Sequence, residues 1–228
     1  MYNDRIIQLT EDGSHTIAIP AMNVVYHSMH GAIQESMHIF IQSGLRYFIN
    51  KNKHASNEPI HIFEQGFGTG LNALLSLREA IQLNQKILYQ TIEPYPVTIE
   101  EATRLNYAEM IKKDLREYFY LLHACEWNKE VAIHPLFSFE KINTTLQQFE
   151  PSAQFHIIYF DAFDPKAQPE LWTEFIFKKM YKLLYPHGIL VTYSSKGAVQ
   201  RAMKATGFSI EKLKGPPGKR EIIRAEKN

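Results

Sequence analysis

Ile60-His61-Ile62-Phe63-Glu64-Gln65-Gly66-Phe67-Gly68-Thr69-Gly70-Leu71-Asn72 is a β-favouring run that ends on an acid, crosses a turn holding three glycines and enters a helical pattern at Leu71. Strand, glycine turn and helix in that order specify the first unit of a layered α/β domain whose turn approaches a ligand. The spacing is Gly-x-Gly-x-Gly, not the Gly-x-Gly-x-x-Gly that seats a pyrophosphate on a helix N-terminus. Glu64 places negative charge where a phosphate would sit, which favours a ligand with a cationic or zwitterionic end, such as S-adenosylmethionine.

The rest of the chain alternates in the same way. Strands are expected at 60–65, 87–92, 130–133, 155–161 and 188–194, and helices at 70–83, 97–105, 109–123 and 169–184. Such alternation builds a parallel sheet with helices on both faces. Phe208–Leu213 and Glu221–Ala225 flank Gly215-Pro216-Pro217-Gly218, and strands joined by so short a turn are antiparallel. The expected fold is a Rossmann-like α/β domain at 58–228, a seven-stranded, mostly parallel sheet closed by an antiparallel C-terminal hairpin. Ahead of it, residues 1–57 read as an extension that serves as a lid: a hairpin over 5–19, a helix over 31–49 with Ile33, Met37, Phe40 and Ile41 in one stripe, and a polar linker from Asn50 to Glu58.

Composition narrows the classes of function. The chain has 228 residues, 45% hydrophobic and 21% charged, ordinary values for a globular domain. Cys125 is the single cysteine, which excludes an intramolecular disulfide, and no apolar run approaches a membrane span or a signal peptide. A cytoplasmic protein is expected, with no membrane partner. The formal net charge of +1 hides an asymmetry, because nine Lys/Arg against three Glu follow from Lys196 onward. A basic end on an acidic chain attracts polyanions.

In an open α/β sheet the ligand lies at the carboxyl ends of the strands, and acids stand at three of them: Glu64, Glu93 and Asp161. Glu93 is placed to accept both hydroxyls of a ribose. Asp161, in Tyr159-Phe160-Asp161-Ala162-Phe163-Asp164-Pro165, combines a carboxylate with aromatic walls and is the candidate catalytic position; Asp164 before a proline reads as a turn residue. His27 and His30 have a metal-like spacing, but no cluster completes a site and no metal is expected.

Several blocks stand in order: Tyr26-His27-Ser28 through Gly31, Glu35, Ser36, His38, Phe40 and Gly44-Leu45; Glu64 to Asn72; Asp161 to Pro165 with Pro169-Glu170-Leu171-Trp172; Tyr193 to Gly197 with Val199, Arg201, Ala205, Gly207 and Phe208; and Gly218 to Glu221. Together they resemble the methyltransferase of bacterial wobble-uridine modification, which forms 5-methylaminomethyl-2-thiouridine in tRNA. Ala162 replaces a usual glycine, and Leu136-Phe137-Ser138 stands where the family carries a Gly-Asp pair near the adenine. The resemblance implies S-adenosylmethionine held by Glu64, Gly66, Phe67, Gly68, Thr69, Gly70, Asn72, Glu93, Asp161 and Phe163. It implies methylation of a 5-aminomethyl group in a tRNA anticodon loop. Tyr26 and Trp172 would then wall the base, Lys196, Arg201, Lys219 and Arg220 would hold loop phosphates, and a separate FAD-dependent oxidase would be a functional partner. An aminopropyltransferase of polyamines and a non-catalytic RNA-binding protein on the same fold are the alternatives.

Overall fold

The computed structural model describes residues 4–52, 58–151 and 153–228. The N-terminal hairpin forms from β1 (Ile6–Leu9) and β2 (His15–Ile19), and β3 (Val24–Val25) adds a third short antiparallel strand. The expected helix over 31–49 is a helical rod in three parts: α1 (Ala32–Ser36), a π-helical stretch Met37–Arg46 and α2 (Tyr47–Lys51). Gly44 in its middle lies against the sheet, where an added Cβ would stand 3.1 Å from Val191 and 3.3 Å from Tyr159. Most of the expected linker, 53–57, lies outside the described residues.

Next come β4 (Ile60–Gln65), α3 (Leu71–Leu83), β5 (Ile87–Ile92), α4 (Ile99–Thr103), α5 (Tyr107–Ile111), α6 (Arg116–Ala124), β6 (Val131–His134), β7 (Phe137–Ile142), β8 (Phe155–Phe160), α7 (Glu174–Leu183), β9 (Leu184–Thr192), α8 (Gly197–Ala205), β10 (Phe208–Lys214) and β11 (Glu221–Lys227). The large sheet runs β10-β11-β9-β8-β4-β5-β7-β6. Its middle, from β9 to β7, is parallel; β11 and β10 close one edge and β6 the other, all antiparallel. One face packs Ile60, Ile62, Tyr89 and Tyr159 under the N-terminal rod, α3 and α6. The other packs Phe63, Phe160 and Leu190 under α7 and α8.

The expected seven strands are therefore eight. The strand expected at 130–133 is the antiparallel edge β6, and the parallel strand beside β5 is the unanticipated β7. Its charged residues obscured it: Phe137, Phe139 and Lys141 all face inward at 0% exposure. Lys141 escapes an unpaired burial because its Nζ donates to the carbonyl of His123 and lies 4.6 Å from the centre of the Trp127 ring. Leu136-Phe137-Ser138 thus opens a strand, and the loop that follows the third parallel strand begins at Asn143.

The chain leaves β4 for β5 and β7 on one side, then returns to β8 and β9 on the other. The direction of winding reverses between β4 and β8, and a crevice opens there at the strands' carboxyl ends. Gly66 at the end of β4 and Asp161 at the end of β8 adjoin in that crevice.

Candidate active site

The loop after β4 is shaped by glycines in backbone regions that side chains avoid. Gly66 has φ +90°, Gly68 φ +51° and Gly70 φ +75°. A Cβ on Gly66 would stand 3.1 Å from the Asp161 carbonyl, and one on Gly68 3.0 Å from the Tyr26 ring. Gly70 caps α3 against His123 and leaves the loop's open side to the other two. The backbone N–H groups of Gly66 and Phe67 both donate to the Ile92 carbonyl at 3.2 Å, and that of Gly68 donates to Glu93 Oε2 at 3.0 Å. Glu93 Oε1 accepts from the Tyr95 N–H at 2.9 Å. Burial pushes the Glu93 carboxyl above its ordinary value, against those two backbone donors.

A cleft of about 690 Å³ opens over this loop. Gln65, Gly66, Phe67, Gly68, Thr69 and Asn72 form its floor; Glu93, Thr145, Leu146, Gln147 and Gln148 form one end; Tyr26, His27, Glu35, Asp161, Phe163, Tyr193 and Lys219 form the other. Asn72 Nδ2 donates to Asp161 Oδ2 at 2.9 Å, so the first turn of α3 orients the carboxylate at the end of β8. Burial, and after it the charge of Glu35, push Asp161 up to about 7, while Asn72 and Lys219 pull the other way. Tyr26 packs edge-on to Phe163 with ring centres 5.1 Å apart.

Behind the wall, His27 Nε2 and Thr69 Oγ1 lie 2.7 Å apart and the Tyr107 hydroxyl donates to the same oxygen at 3.3 Å. Burial lowers His27 to about 4, so the ring is neutral and ties the N-terminal extension to the glycine loop. Arg5 adds a second tie, donating to the carbonyls of Tyr95 at 2.5 Å and Pro96 at 2.8 Å in the loop that follows Glu93.

Not every candidate residue reaches the cleft. Glu64 is 0% exposed under the loop and does not line it; burial and then the charge of Asp161 push its carboxyl well above the usual range. Trp172, also buried, donates its Nε1–H to the Phe163 carbonyl at 2.8 Å and so supports the wall from behind. Lys196 is exposed and paired with Asp164 at 2.6 Å. Arg201 and Arg220 are exposed and away from the cleft lining. Lys219, expected to hold a loop phosphate, instead lines the cleft and pairs with Glu35 at 3.1 Å. Glu35, Gln65 and Tyr193 also line the cleft; each stands inside one of the ordered blocks, yet none was named as a site residue from sequence. Among the described residues no group of His, Cys, Asp or Glu could hold a metal ion, and no helix is long and apolar enough to cross a membrane.

The cleft suits S-adenosylmethionine on its own chemistry. Gln65 Oε1 and Asn72 Oδ1 are buried acceptors without a partner, available to an ammonium group. Gly66 and Gly68 leave open the space that a Cβ would fill. Glu93 retains a free lone pair on each oxygen for a ribose diol, and Thr145 to Gln148 lie beyond it for the base. Glu35 and Asp161 at the other end would balance the positive charge of a sulfonium.

Comparison with known proteins agrees. Residues 105–228 match a family model described as S-adenosyl-L-methionine-dependent methyltransferase. Among curated relatives, the tRNA 5-methylaminomethyl-2-thiouridine biosynthesis bifunctional protein MnmC of Burkholderia thailandensis is 28% identical over 98% of this chain and 36% of its own length. That of Aeromonas hydrophila is 29% identical over 89% of this chain and 32% of its own. The chain thus spans about a third of the length of these relatives. Among solved structures, MNMC2 from Aquifex aeolicus superposes with a TM-score of 0.80 at 23% identity, over 99% of this chain and 70% of that one. Spermidine synthase from Thermotoga maritima superposes at 0.53 with 14% identity, over 99% and 70%, a likeness of fold alone.

Proposed function

We propose, starting from the fact that this chain belongs to the S-adenosyl-L-methionine-dependent methyltransferase family, that it methylates the 5-aminomethyl group of the wobble uridine in a tRNA anticodon loop. The observation that carries this reading is the likeness to the wobble-uridine biosynthesis proteins over 98% of the chain, which brings the whole cleft inside the comparison. A non-catalytic RNA-binding role loses its ground with membership in an enzyme family.

When bound, S-adenosylmethionine supplies a methyl group on a sulfonium, released with a neutral thioether. The protein's own part is to position the acceptor amine and manage its charge. Gln65, the glycine loop, Asn72 and Glu93 hold the cofactor at the floor. Asp161, oriented by Asn72, accepts a hydrogen bond from the amine and stabilises the positive charge that grows on nitrogen. A lysine-like amine with a pKa near ~10.4 enters mostly as ammonium. Against an ordinary aspartate the proton would face a gap of about six units; with Asp161 at about 7 the gap is about three, and the carboxylate becomes a workable acceptor. Asp161 ionises through about 7, so kcat/KM for an amine that enters as ammonium should rise through that value and level off above it.

Tyr26 and Phe163 form an aromatic corner for an unstacked base. The exposed Lys196, Arg201 and Arg220 lie outside the cleft and suit loop phosphates. Residues 1–57 act as the lid of a methyltransferase domain at 58–228, held to the glycine loop by His27. An FAD-dependent oxidase would be the functional partner that supplies the primary amine. Both proteins would act in the cytoplasm.

The test is transfer of labelled methyl from S-adenosylmethionine to tRNA lacking this modification, with fully modified tRNA beside it. Label only in the deficient tRNA, at the wobble nucleoside, is the expected result. Tight cofactor binding with no transfer to either tRNA would overturn the substrate and redirect the search to other amines.

A further inference from the structure

At the mouth of the cleft the protein presents a primary ammonium of its own. Lys219 leaves the turn between β10 and β11, points into the cleft and lies 3.1 Å from Glu35 Oε1. Its Nζ also stands 4.7 Å from the centre of the Tyr193 ring. A carboxylate and an aromatic face together form a recognised seat for an alkylammonium. The seat is built rather than incidental. Glu35 is 8% exposed, and its other oxygen accepts the Ser28 N–H at 2.8 Å. Tyr193 is pinned by its hydroxyl, which donates to the Ala162 carbonyl at 2.9 Å, one residue from Asp161. By contrast, Lys219 has a long, rotatable stem, and its neighbour Arg220 faces solvent.

We propose that Glu35 and the face of Tyr193 form the seat that receives the acceptor's alkylammonium group, and that Lys219 fills this seat until the acceptor arrives. This rests on the amine-acceptor reading and deepens it. The exchange conserves charge inside the cleft, because one ammonium replaces another beside Glu35 and Asp161. The displaced Lys219 swings toward the exposed side of its turn, where an acceptor's phosphate can hold it. An acceptor that carries both an ammonium and a nearby polyanion is favoured over a free amine, which must displace Lys219 without compensation. Glu35 is thereby a binding residue for the acceptor, and Lys219 a gate that selects amines borne on a polyanion.

The test uses the full chain with n-propylammonium as probe and 1-propanol as its uncharged counterpart, followed by ligand-observed NMR. Removing the resident ammonium by Lys219→Met should tighten propylammonium binding about tenfold, because the probe no longer competes with a half-buried ion pair. Propanol binding should not change. Adding Glu35→Gln to Lys219→Met should abolish the preference for the ammonium. In both variants the thermal midpoint and the circular dichroism spectrum serve as controls for folding. Equal affinity of the Lys219→Met protein for propylammonium and propanol, or no gain over the unchanged protein, would overturn the seat. Propylammonium binding as expected, with no tRNA methylated, would leave the seat standing and sink the proposed tRNA reaction. Methylated tRNA with no gain at Lys219→Met would do the reverse.

Discussion

Asp161→Asn should make the cofactor-free protein more stable while it removes turnover, and the gain should depend on pH. Enclosure raises the Asp161 carboxyl from 3.8 in the unfolded chain to about 7 in the fold. Between those values the folded state binds more protons than the unfolded one, so stability falls as pH rises. The penalty is absent below about 3.8, grows through the interval and is complete above about 7. Three units at about 1.4 kcal/mol each bound it near 4 kcal/mol, and water entering over the partly exposed carboxyl reduces the expectation to about 2 kcal/mol. The substituted amide keeps a carbonyl for Asn72 Nδ2 and carries no charge to bury. Urea denaturation of both proteins between pH 4.5 and 8.5 should show an advantage for the Asp161→Asn protein that widens with pH by roughly 2 kcal/mol, or about 4–8 °C in Tm for a chain of this length. Methyl transfer should fall by at least about a hundredfold, with S-adenosylmethionine affinity retained. An advantage that stays flat with pH, or a loss of stability at pH 8.5, would refute the claim that this carboxylate is held ionised at a cost.

Three further outcomes follow from the same geometry. Gly66→Ala forces a Cβ against the Asp161 carbonyl at a positive φ, and should cost about 1–3 kcal/mol of stability and weaken S-adenosylmethionine binding by calorimetry. Thr69→Val deletes the oxygen shared by His27 and Tyr107, leaving two buried polar groups unpaired, and should cost about 1–3 kcal/mol by urea denaturation. Arg220→Ala should weaken tRNA binding and lower its salt slope by about one unit in a filter assay, with cofactor affinity unchanged.

Local patterns carried much of this molecule. The run into Gly66 and the helix from Leu71 were legible because each residue's preference agrees with its neighbours', and the same holds for β5, β8 and the terminal hairpin. Glu93, Asp161, Tyr26 and Phe163 could be named because acids and aromatics at strand ends and in the ordered blocks stand out in sequence. Strand β7 was hidden because Lys141 reads as polar, and only the His123 carbonyl and the Trp127 ring make its burial tolerable. The π-helical stretch Met37–Arg46 was hidden too, since its hydrophobic stripe resembles that of an ordinary helix.

By itself the sequence determined the order of elements, the glycine loop and the acids at the strand ends, all properties of short contiguous segments. Only the tertiary structure decided that Glu64 lies under the loop, that Trp172 supports the wall from behind, that Asp161 rises to about 7, and that Lys219 turns inward to Glu35. Each of these depends on which distant segments share one small volume, and on the desolvation and charge pairing that follow. Those quantities belong to the assembled cleft, and no local stretch of chain carries them.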